Sequence, residues 1–421
     1  MRLNRTLLAA LGSLLTGTGL GLADDAPARL PAGATAEVAP AAQPSQPVPP
    51  PVTDLSPASE CDRGIRMWGT AEYLMWWMKD APSPVPLVTT GPVVPNLAPV
   101  LGVPGTTVLL GGNGVGLGTF SGGRFSIGGW LDRDATFGVE ATYLFLGDRS
   151  VSREAGASGL PGSAFLALPF LNAQTGLESS TRIALPGGFS GLARETVSSG
   201  LQNGELNGVW NLARGPEWTV SVLGGFRYTN LHEGWTLTTD SVTTVGPPDV
   251  FTTRDSFAAD NDFYGGQLGL RVERQLGRWF VNATTKVALG NTHRSVVTEG
   301  ELVTNDFNGL GAPQVFPGGY FTQPTNIGST ANDRFSVLTD VSVSVGYQLT
   351  AAARVFAGYS FFYLSGVARP GDQVDRRINP SQAPAAIGLP VALVGPPAPL
   401  PQLRSSDFWA HGLNFGLELR Y

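Results

Sequence analysis

The sequence has few of the charged residues that ordinarily cover the surface of a soluble protein. They make up 14% of the chain, against roughly 25% in typical soluble domains, and lysine occurs only at Lys79 and Lys286. The formal net charge is −6, so the chain lacks the basic excess that nucleic acid binding requires. A single cysteine, Cys61, excludes an internal disulfide.

Long apolar runs are also missing. After residue 23 no stretch offers the roughly 18 apolar residues of a membrane-spanning helix. The chain opens with Arg2 and Arg5, an apolar segment and the small-x-small end Gly21-Leu22-Ala23, the pattern of a secretory signal peptide. We therefore expect a signal peptide over 1–23, a disordered Pro/Ala-rich linker over 24–64 and a folded domain over 65–421. Removing the leader's two arginines lowers the net charge from −6 to −8.

The C-terminus ends on an alternating segment. From Asn414 to Tyr421 apolar and polar residues alternate and the last residue is aromatic, so a strand would carry them on opposite faces. This pattern is similar to the assembly signal of bacterial outer-membrane barrels, whose closing strand comes last. The residues expected to form that signal are Asn414, Gly416, Leu419 and Tyr421.

The rest of the chain is organised as hairpins. Short turns and long connections alternate, as in barrels that have short periplasmic turns and long extracellular loops. The sequence therefore predicts an all-β fold, a transmembrane antiparallel up-and-down β-barrel of about ten strands. Twelve is the alternative, because 174–186 and 236–256 could pair beyond the membrane. The predicted long connections are 80–123, 147–196, 232–262, 294–334 and 365–407.

Charged residues within the predicted strands fall on the polar face. A lipid-facing Arg or Lys at mid-depth costs about 2–4 kcal/mol, which explains this sorting. Six acids and five bases share the inward face, so strong ion selectivity is not expected. The predicted lumen-facing residues are Glu72, Arg124, Glu140, Glu205, Arg227, Arg271, Glu273, Lys286, Asp340, Glu418 and Arg420.

Several segments resemble one known family. They are Ala71-Glu72-Tyr73-Leu74-Met75-Trp76-Trp77, the following Pro86-Leu87-Val88-Thr89-Thr90, the strand Gly138–Phe145 and the closing aromatic. Together they resemble the outer-membrane β-barrel porins of beta barrel porin family seven, over roughly 65–421. The resemblance implies a barrel in the outer membrane of a Gram-negative-type envelope, reached through the signal peptide. A porin label describes the fold and carries little about the substrate.

The sequence gives little evidence of catalysis. The three histidines, His232, His293 and His411, lack metal-ligand spacing, so we expect no catalytic residue, no metal and no cofactor. His232 is nevertheless a candidate at the rim of the barrel, near Asp255, Asp260 and Asp262. Some ten-stranded outer-membrane proteases place a histidine and acidic residues at that rim. An outer-membrane hydrolase is accordingly the third functional hypothesis.

Two hypotheses rank above it. The leading one is passive diffusion of small hydrophilic solutes through a narrow polar pore. The second is a structural or adhesive barrel with a plugged lumen, because about eight strands are just filled by side chains whereas 16 to 18 leave a channel. Expected partners are outer-membrane lipid, the barrel assembly machinery and small hydrophilic solutes, with no nucleic acid; the oligomeric state stays open.

Overall fold

The computed structural model describes residues 66–93, 98–246, 248–305, 312–383 and 392–421. The predicted signal peptide, 1–23, and linker, 24–64, lie outside these residues. The described part contains no helix long and apolar enough to cross a membrane. In chain order its strands are β1 (Met67–Met78), β2 (Pro86–Gly91), β3 (Thr107–Gly111), β4 (Thr119–Trp130), β5 (Phe137–Ala157), β6 (Phe165–Asn172), β7 (Glu178–Ala184), β8 (Phe189–Arg214), β9 (Trp218–Thr243), β10 (Val250–Leu276), β11 (Trp279–Thr304), β12 (Gln314–Pro317), β13 (Gly328–Gln348), β14 (Ala353–Val367), β15 (Arg377–Ile378) and β16 (Ser406–Arg420).

Ten of these strands form one closed antiparallel sheet. Its order is β1, β4, β5, β8, β9, β10, β11, β13, β14, β16, and β16 pairs back onto β1. Closure is in register along the whole of β1, from Trp68 opposite Arg420 to Met78 opposite Ala410. Closing the sheet removes its free edges over these residues. The prediction of a ten-stranded up-and-down barrel is therefore confirmed.

The outer surface carries a continuous apolar belt. On β11 every second side chain from Trp279 to Leu289 faces outward, and both of these are more than half exposed, at 56% and 54%. Eleven residues at ~3.4 Å each, tilted by ~40°, span about 25 Å, the height of the apolar band of a transmembrane barrel. Tyr228 and Tyr264 pack against each other at one edge of the belt, with ring centroids 5.1 Å apart and ring planes tilted by 39°. An apolar exterior of this height is typical of a lipid-facing surface.

The two ends of the barrel differ. The tight turns and both ends of the described domain lie at one end, here called the turn end. Tyr421 and Met67 exchange backbone hydrogen bonds there, at 2.8 and 3.0 Å. The opposite end, the loop end, carries the long connections.

Three predicted long loops are largely strand, which corrects their boundaries. Residues 147–157 continue β5, 189–196 begin β8, 232–243 and 250–262 extend β9 and β10, and 294–304 and 328–334 extend β11 and β13. These extensions rise beyond the belt on one side of the barrel, whereas β1, β4, β14 and β16 stay short. Residues 236–256 pair with each other beyond the belt without adding a strand to the barrel.

The connections at the loop end form a second sheet. Its order is β15, β6, β2, β3, with β7 paired to β6. Part of 80–123 is thus strand rather than flexible loop, because β2 and β3 lie within it. Buried side chains of this sheet, such as Val88 and Leu168, share one core with Trp235 and Phe257 on the extended strands. We call this unit, the extensions plus the second sheet, the head.

Candidate functional site

The interior of the barrel is the candidate site, and ion pairs fill it at the level of the belt. Glu205 (β8), Arg227 (β9), Lys286 (β11) and Asp340 (β13), here the central cluster, meet at its middle. Arg227 Nη2 lies 3.3 Å from Glu205 Oε1 and 3.1 Å from Asp340 Oδ2. Lys286 Nζ lies 2.8 Å from Glu205 and 3.7 Å from Asp340. Because β10 and β11 separate β9 from β13 in the sheet, the Arg227–Asp340 pair crosses the interior.

Neutral side chains complete the central cluster. Asn203 Oδ1 accepts hydrogen bonds from Arg227 Nε at 2.7 Å and from the Thr229 hydroxyl at 2.8 Å. Gln267 donates to Glu205 at 2.9 Å. The Arg227 guanidinium also lies over the Phe362 ring, 5.4 Å from its centroid. The buried charges are thus held by both counter-charges and hydrogen bonds, as burial of an ion pair demands.

A second layer of ion pairs lies nearer the turn end. Arg271 Nη2 donates to Glu140 Oε1 at 2.7 Å, and Trp68 Nε1 donates to the same carboxylate at 3.2 Å. Glu273 meets Arg354 at 2.8 Å and Arg420 at 3.5 Å. Strands β5 and β10 are separated by β8 and β9, so the Arg271–Glu140 pair also spans the interior.

The remaining predicted lumen residues pair within the same space. Arg124 Nη1 lies 3.3 Å from Glu72 Oε2, and its Nη2 donates to the Ser360 hydroxyl at 3.4 Å across β1 and β16. Glu418 accepts from Arg420 Nε two residues away. The structure thus brings all eleven predicted residues into ion pairs on the inward side of the strands.

Sequence reasoning missed several buried charges, among them Arg354, Glu233 and Arg369. Arg354 lies at the start of β14, beside a turn. It falls on the same face of the strand as the polar Ser360, and this alternation is the sequence signal that could have identified it. Glu233 and Arg369 form a fully buried pair at 2.7 Å, each with 1% side-chain exposure. Both lie in segments that were predicted to be loops, so their pairing had no sequence signal.

Burial changes titration in the head, outside the belt. Burial raises the pKa of Asp255 to about 6, although the carboxylate accepts hydrogen bonds from Thr322 and from the backbone N–H groups of Tyr320, Phe321 and Thr322. Burial lowers the pKa of the Arg369 guanidinium, but Glu233 outweighs it and leaves the pKa raised. Asp255 holds the 319–322 turn against β10, and Gly319 is required because a Cβ there would lie 2.5 Å from the carboxylate.

The histidines lie on the outer side of the strands. His232 Nε2 lies 2.6 Å from Asp148 Oδ1, which corrects the expected grouping with Asp255. Asp260 stands opposite His232 in the β9–β10 register, and Asp262 accepts from Tyr228 at 2.7 Å. The geometry of His232 therefore gives the hydrolase hypothesis no specific support. His293 Nδ1 lies 2.9 Å from Asp333, and His411 Nδ1 lies 2.7 Å from the Tyr359 hydroxyl within the belt.

The predicted assembly signal closes the sheet. Asn414 accepts from Trp76 Nε1 at 2.9 Å and donates to Ser360 at 2.7 Å. Gly416 lies beneath the Phe356 ring, where an added Cβ would lie 2.2 Å from Cζ. Leu419 faces outward at 53% exposure and Tyr421 is 99% exposed. Asn414 and Gly416 thus hold β16 against β1 and β14 on the inner side of the sheet.

Comparison with known proteins matches this architecture. The model of the family Putative beta barrel porin-7 (BBP7) matches residues 68–421. The chain is similar to the outer membrane protease OmpT of Escherichia coli, with 9% identity, a TM-score of 0.39, and coverage of 85% of this chain and 98% of that one. It is similar to a Pseudomonas aeruginosa FadL homologue, with 9% identity, a TM-score of 0.21 and coverage of 85% and 90%. It is also similar to the P. putida toluene transporter TodX, with 9% identity, a TM-score of 0.19, and coverage of 85% of this chain and 90% of that one.

These structural similarities are too weak for any residue's role to be transferred from them. No curated protein matches the chain.

Proposed function

The chain belongs to the beta barrel porin-7 family of outer-membrane barrels, and from this premise we propose that it is a structural barrel with a closed interior that holds its head at the cell surface. The observation that carries the proposal is the central cluster, which joins β9 to β13 through Arg227 and Asp340 at 3.1 Å. An ion pair across the interior fills the space that a permanent pore would need.

Energetics support a closed interior. Removing one partner of a buried ion pair costs about 3–5 kcal/mol, because the other charge is left uncompensated. The side chains of Arg227, Glu205 and Asp340 are 0%, 2% and 6% exposed. A solute passing this level would have to separate these side chains. The central cluster has no further charged group that could pair with the charges left behind.

The head adds a second closure. Trp235, Phe257 and Phe321 are each no more than 1% exposed, and they belong to one apolar core that includes β2 and β6. An apolar core of this kind excludes water and ions. Passage through the barrel would therefore need the head to open as well.

Passive diffusion of small hydrophilic solutes is the second candidate function. The family's porin name and the polar lining at the level of the belt favour it. It requires that the central cluster separate and that the core above it part, so the two candidates differ in whether the resting barrel conducts.

Conductance in planar bilayers distinguishes them. We expect no steps above the lipid baseline from the wild-type protein. The double variant Arg227→Gln, Lys286→Gln removes both cations of the central cluster and is expected to give intermittent steps. Arg254→Gln, an exposed arginine on β10, is the control and should stay silent. Regular steps from the wild-type protein would overturn the closed-barrel proposal and favour passive diffusion.

We also propose two partners from the outer surface. Outer-membrane lipid contacts the belt, since Leu268, Phe335 and Leu419 are 71%, 68% and 53% exposed and burial in hydrocarbon removes apolar surface from water. The barrel assembly machinery recognises the last strand, with Tyr421 as its exposed end. Deleting Tyr421 is expected to slow membrane insertion, measured by the appearance of the heat-modifiable gel band.

A further inference from the structure

One buried arginine differs from the others. Arg227, Arg294 and Arg369 are the fully buried arginines of the described chain, at 0%, 1% and 1% exposure. Arg227 and Arg369 are each paired with carboxylates within 3.3 Å. Arg294 forms no ion pair with any described carboxylate. Since a buried cation without a counter-charge is costly, its environment needs an explanation.

Neutral acceptors hold Arg294 in place. Asn332 Oδ1 accepts from its Nε at 2.9 Å and from its Nη2 at 2.6 Å. The carbonyl oxygen of Gly366 accepts from Nη1 at 3.2 Å, and the Ser405 hydroxyl accepts from the same nitrogen. These contacts fix the guanidinium without neutralising its charge.

A second cation reaches the same hydroxyl. Arg334 Nη1 donates to Ser405 Oγ at 2.7 Å, so two guanidinium groups converge on one oxygen. Burial and the Arg334 charge lower the pKa of Arg294, as expected for like charges that are close together. Asp407, two residues after Ser405, accepts a hydrogen bond from the Gly366 N–H at 3.4 Å. It is not ion-paired with either arginine.

We propose that Arg294, Arg334 and Ser405 form a binding site for a phosphate-type oxyanion. Guanidinium forks present paired donors that match phosphate oxygens. The Ser405 oxygen accepts from both arginines, which leaves its O–H to donate to the ligand. Arg334 is exposed, and among the described residues only its Nη1 donates a hydrogen bond. Its Nε lies beside Gly366, which leaves Nη2 as the donor available to a ligand.

The position of the site favours a lipid headgroup as the source of the phosphate. Arg334 lies at the edge of the belt on β13, next to Phe335, which is 68% exposed; its own side chain leaves the strand on the opposite, inner face. Pairing between β13 and β14 stops at Leu338 and Leu364, so β14 does not shield Arg334 from the side. Basic pockets at the membrane boundary bind lipid head groups. Free phosphate would use the same donors.

Binding to two probes tests the site. The purified protein is titrated with inorganic phosphate in neutral detergent, and it is also placed in bilayer discs that contain phosphatidylcholine with or without phosphatidic acid. We expect saturable binding of one probe by the wild-type protein and at least a tenfold loss in Arg334→Gln. Arg254→Gln removes another exposed arginine, from β10, and should bind as the wild type does.

Two further variants keep the test independent of folding. Arg334→Lys retains the charge without the fork and should recover part of the affinity. Ser405→Ala retains both cations but lacks the shared hydroxyl, and it should weaken binding while the heat-modifiable gel shift stays intact. If Arg334→Gln loses only the binding of inorganic phosphate, the ligand of the site is soluble. If it loses only the binding of phosphatidic acid, the ligand is a lipid. Equal binding by wild type and Arg334→Gln, or no binding of either probe, would overturn the proposal.

Discussion

Strand β10 passes through two regions that differ in the chemistry of their two faces. Within the belt, Gln267 and Arg271 face inward while Leu268 and Leu270 face outward at 71% and 47% exposure. Within the head the parity is unchanged but the residue types change. Outward Arg254 and Asp260 are exposed, while Phe257 and Phe263 join Asp255 and Asn261 on the buried inner face. The strand does not shift its register between the two regions.

The exchange follows from the solvent outside the barrel. Where lipid surrounds the sheet, outward side chains must be apolar, and polar groups are tolerated only on the inside, where they pair. Where water surrounds it, the outward face can be polar and the inside can form an ordinary apolar core. One alternating strand therefore serves both regions, and the exchange marks the edge of the membrane.

The largest expected effect comes from breaking the belt interior. Arg227→Gln leaves Glu205 and Asp340 in the central cluster with only Lys286 between them. We expect a loss of about 3–5 kcal/mol in the free energy of unfolding, the usual cost of removing one partner of a buried pair. Urea unfolding in lipid vesicles measures it.

The control for that measurement is an arginine outside the interior. Arg254→Gln should lie within about 0.5 kcal/mol of the wild type, as surface substitutions ordinarily do. A loss from Arg227→Gln no larger than this would mean that the ion pairs of the belt contribute little. The comparison between the two regions would then rest on packing alone.

A smaller and more local effect is expected in the head. Leu237 is 0% exposed and lies in the apolar core, so Leu237→Ala should cost about 2–5 kcal/mol through lost burial and a cavity. The belt should stay folded, because Leu237 lies beyond it. We expect faster proteolysis of the head and an unchanged heat-modifiable gel shift.

Val245→Ala serves as the matched control, since Val245 is 73% exposed. If Leu237→Ala abolished the gel shift as well, the head and the belt would unfold as one unit. That result would contradict the separation of the two regions.

The sequence predicted the belt well and the head poorly, for a physical reason. In the belt, lipid forbids outward charge, so charged residues such as Arg271 and Lys286 identify the inner face from sequence alone. In the head either face tolerates a polar residue. At Phe263 an apolar residue occupies the face that is polar in the belt, and in the sequence this change resembles the end of a strand. The sequence therefore predicts loops where the structure has the strand extensions. The pairing of Glu233 with Arg369 depends on how a distant connection folds back, which no local pattern encodes.

The smallest expected effect is a pH dependence that belongs to the head alone. Burial raises the pKa of Asp255 to about 6, above its ordinary value of about 3.9. The folded protein therefore binds this proton more tightly than the unfolded chain does. The resulting stabilisation is fully present below about pH 4 and is lost as the pH rises through 6. Between pH 7 and pH 5 this group alone should stabilise the head by about 1 kcal/mol.

The difference between the wild type and Asp255→Asn isolates that contribution, because all other titrating groups are shared. Hydrogen exchange of the 319–322 turn should slow from pH 7 to pH 5 in the wild type, once the intrinsic exchange rates are corrected for pH. The variant should show a flatter profile. If both profiles coincide, folding does not shift the pKa of Asp255. If the wild-type turn loosens on acidification, the carboxylate form of Asp255 is the one that the turn stabilises. In that case its four hydrogen bonds would outweigh burial, and the head would hold a buried carboxylate without a counter-charge.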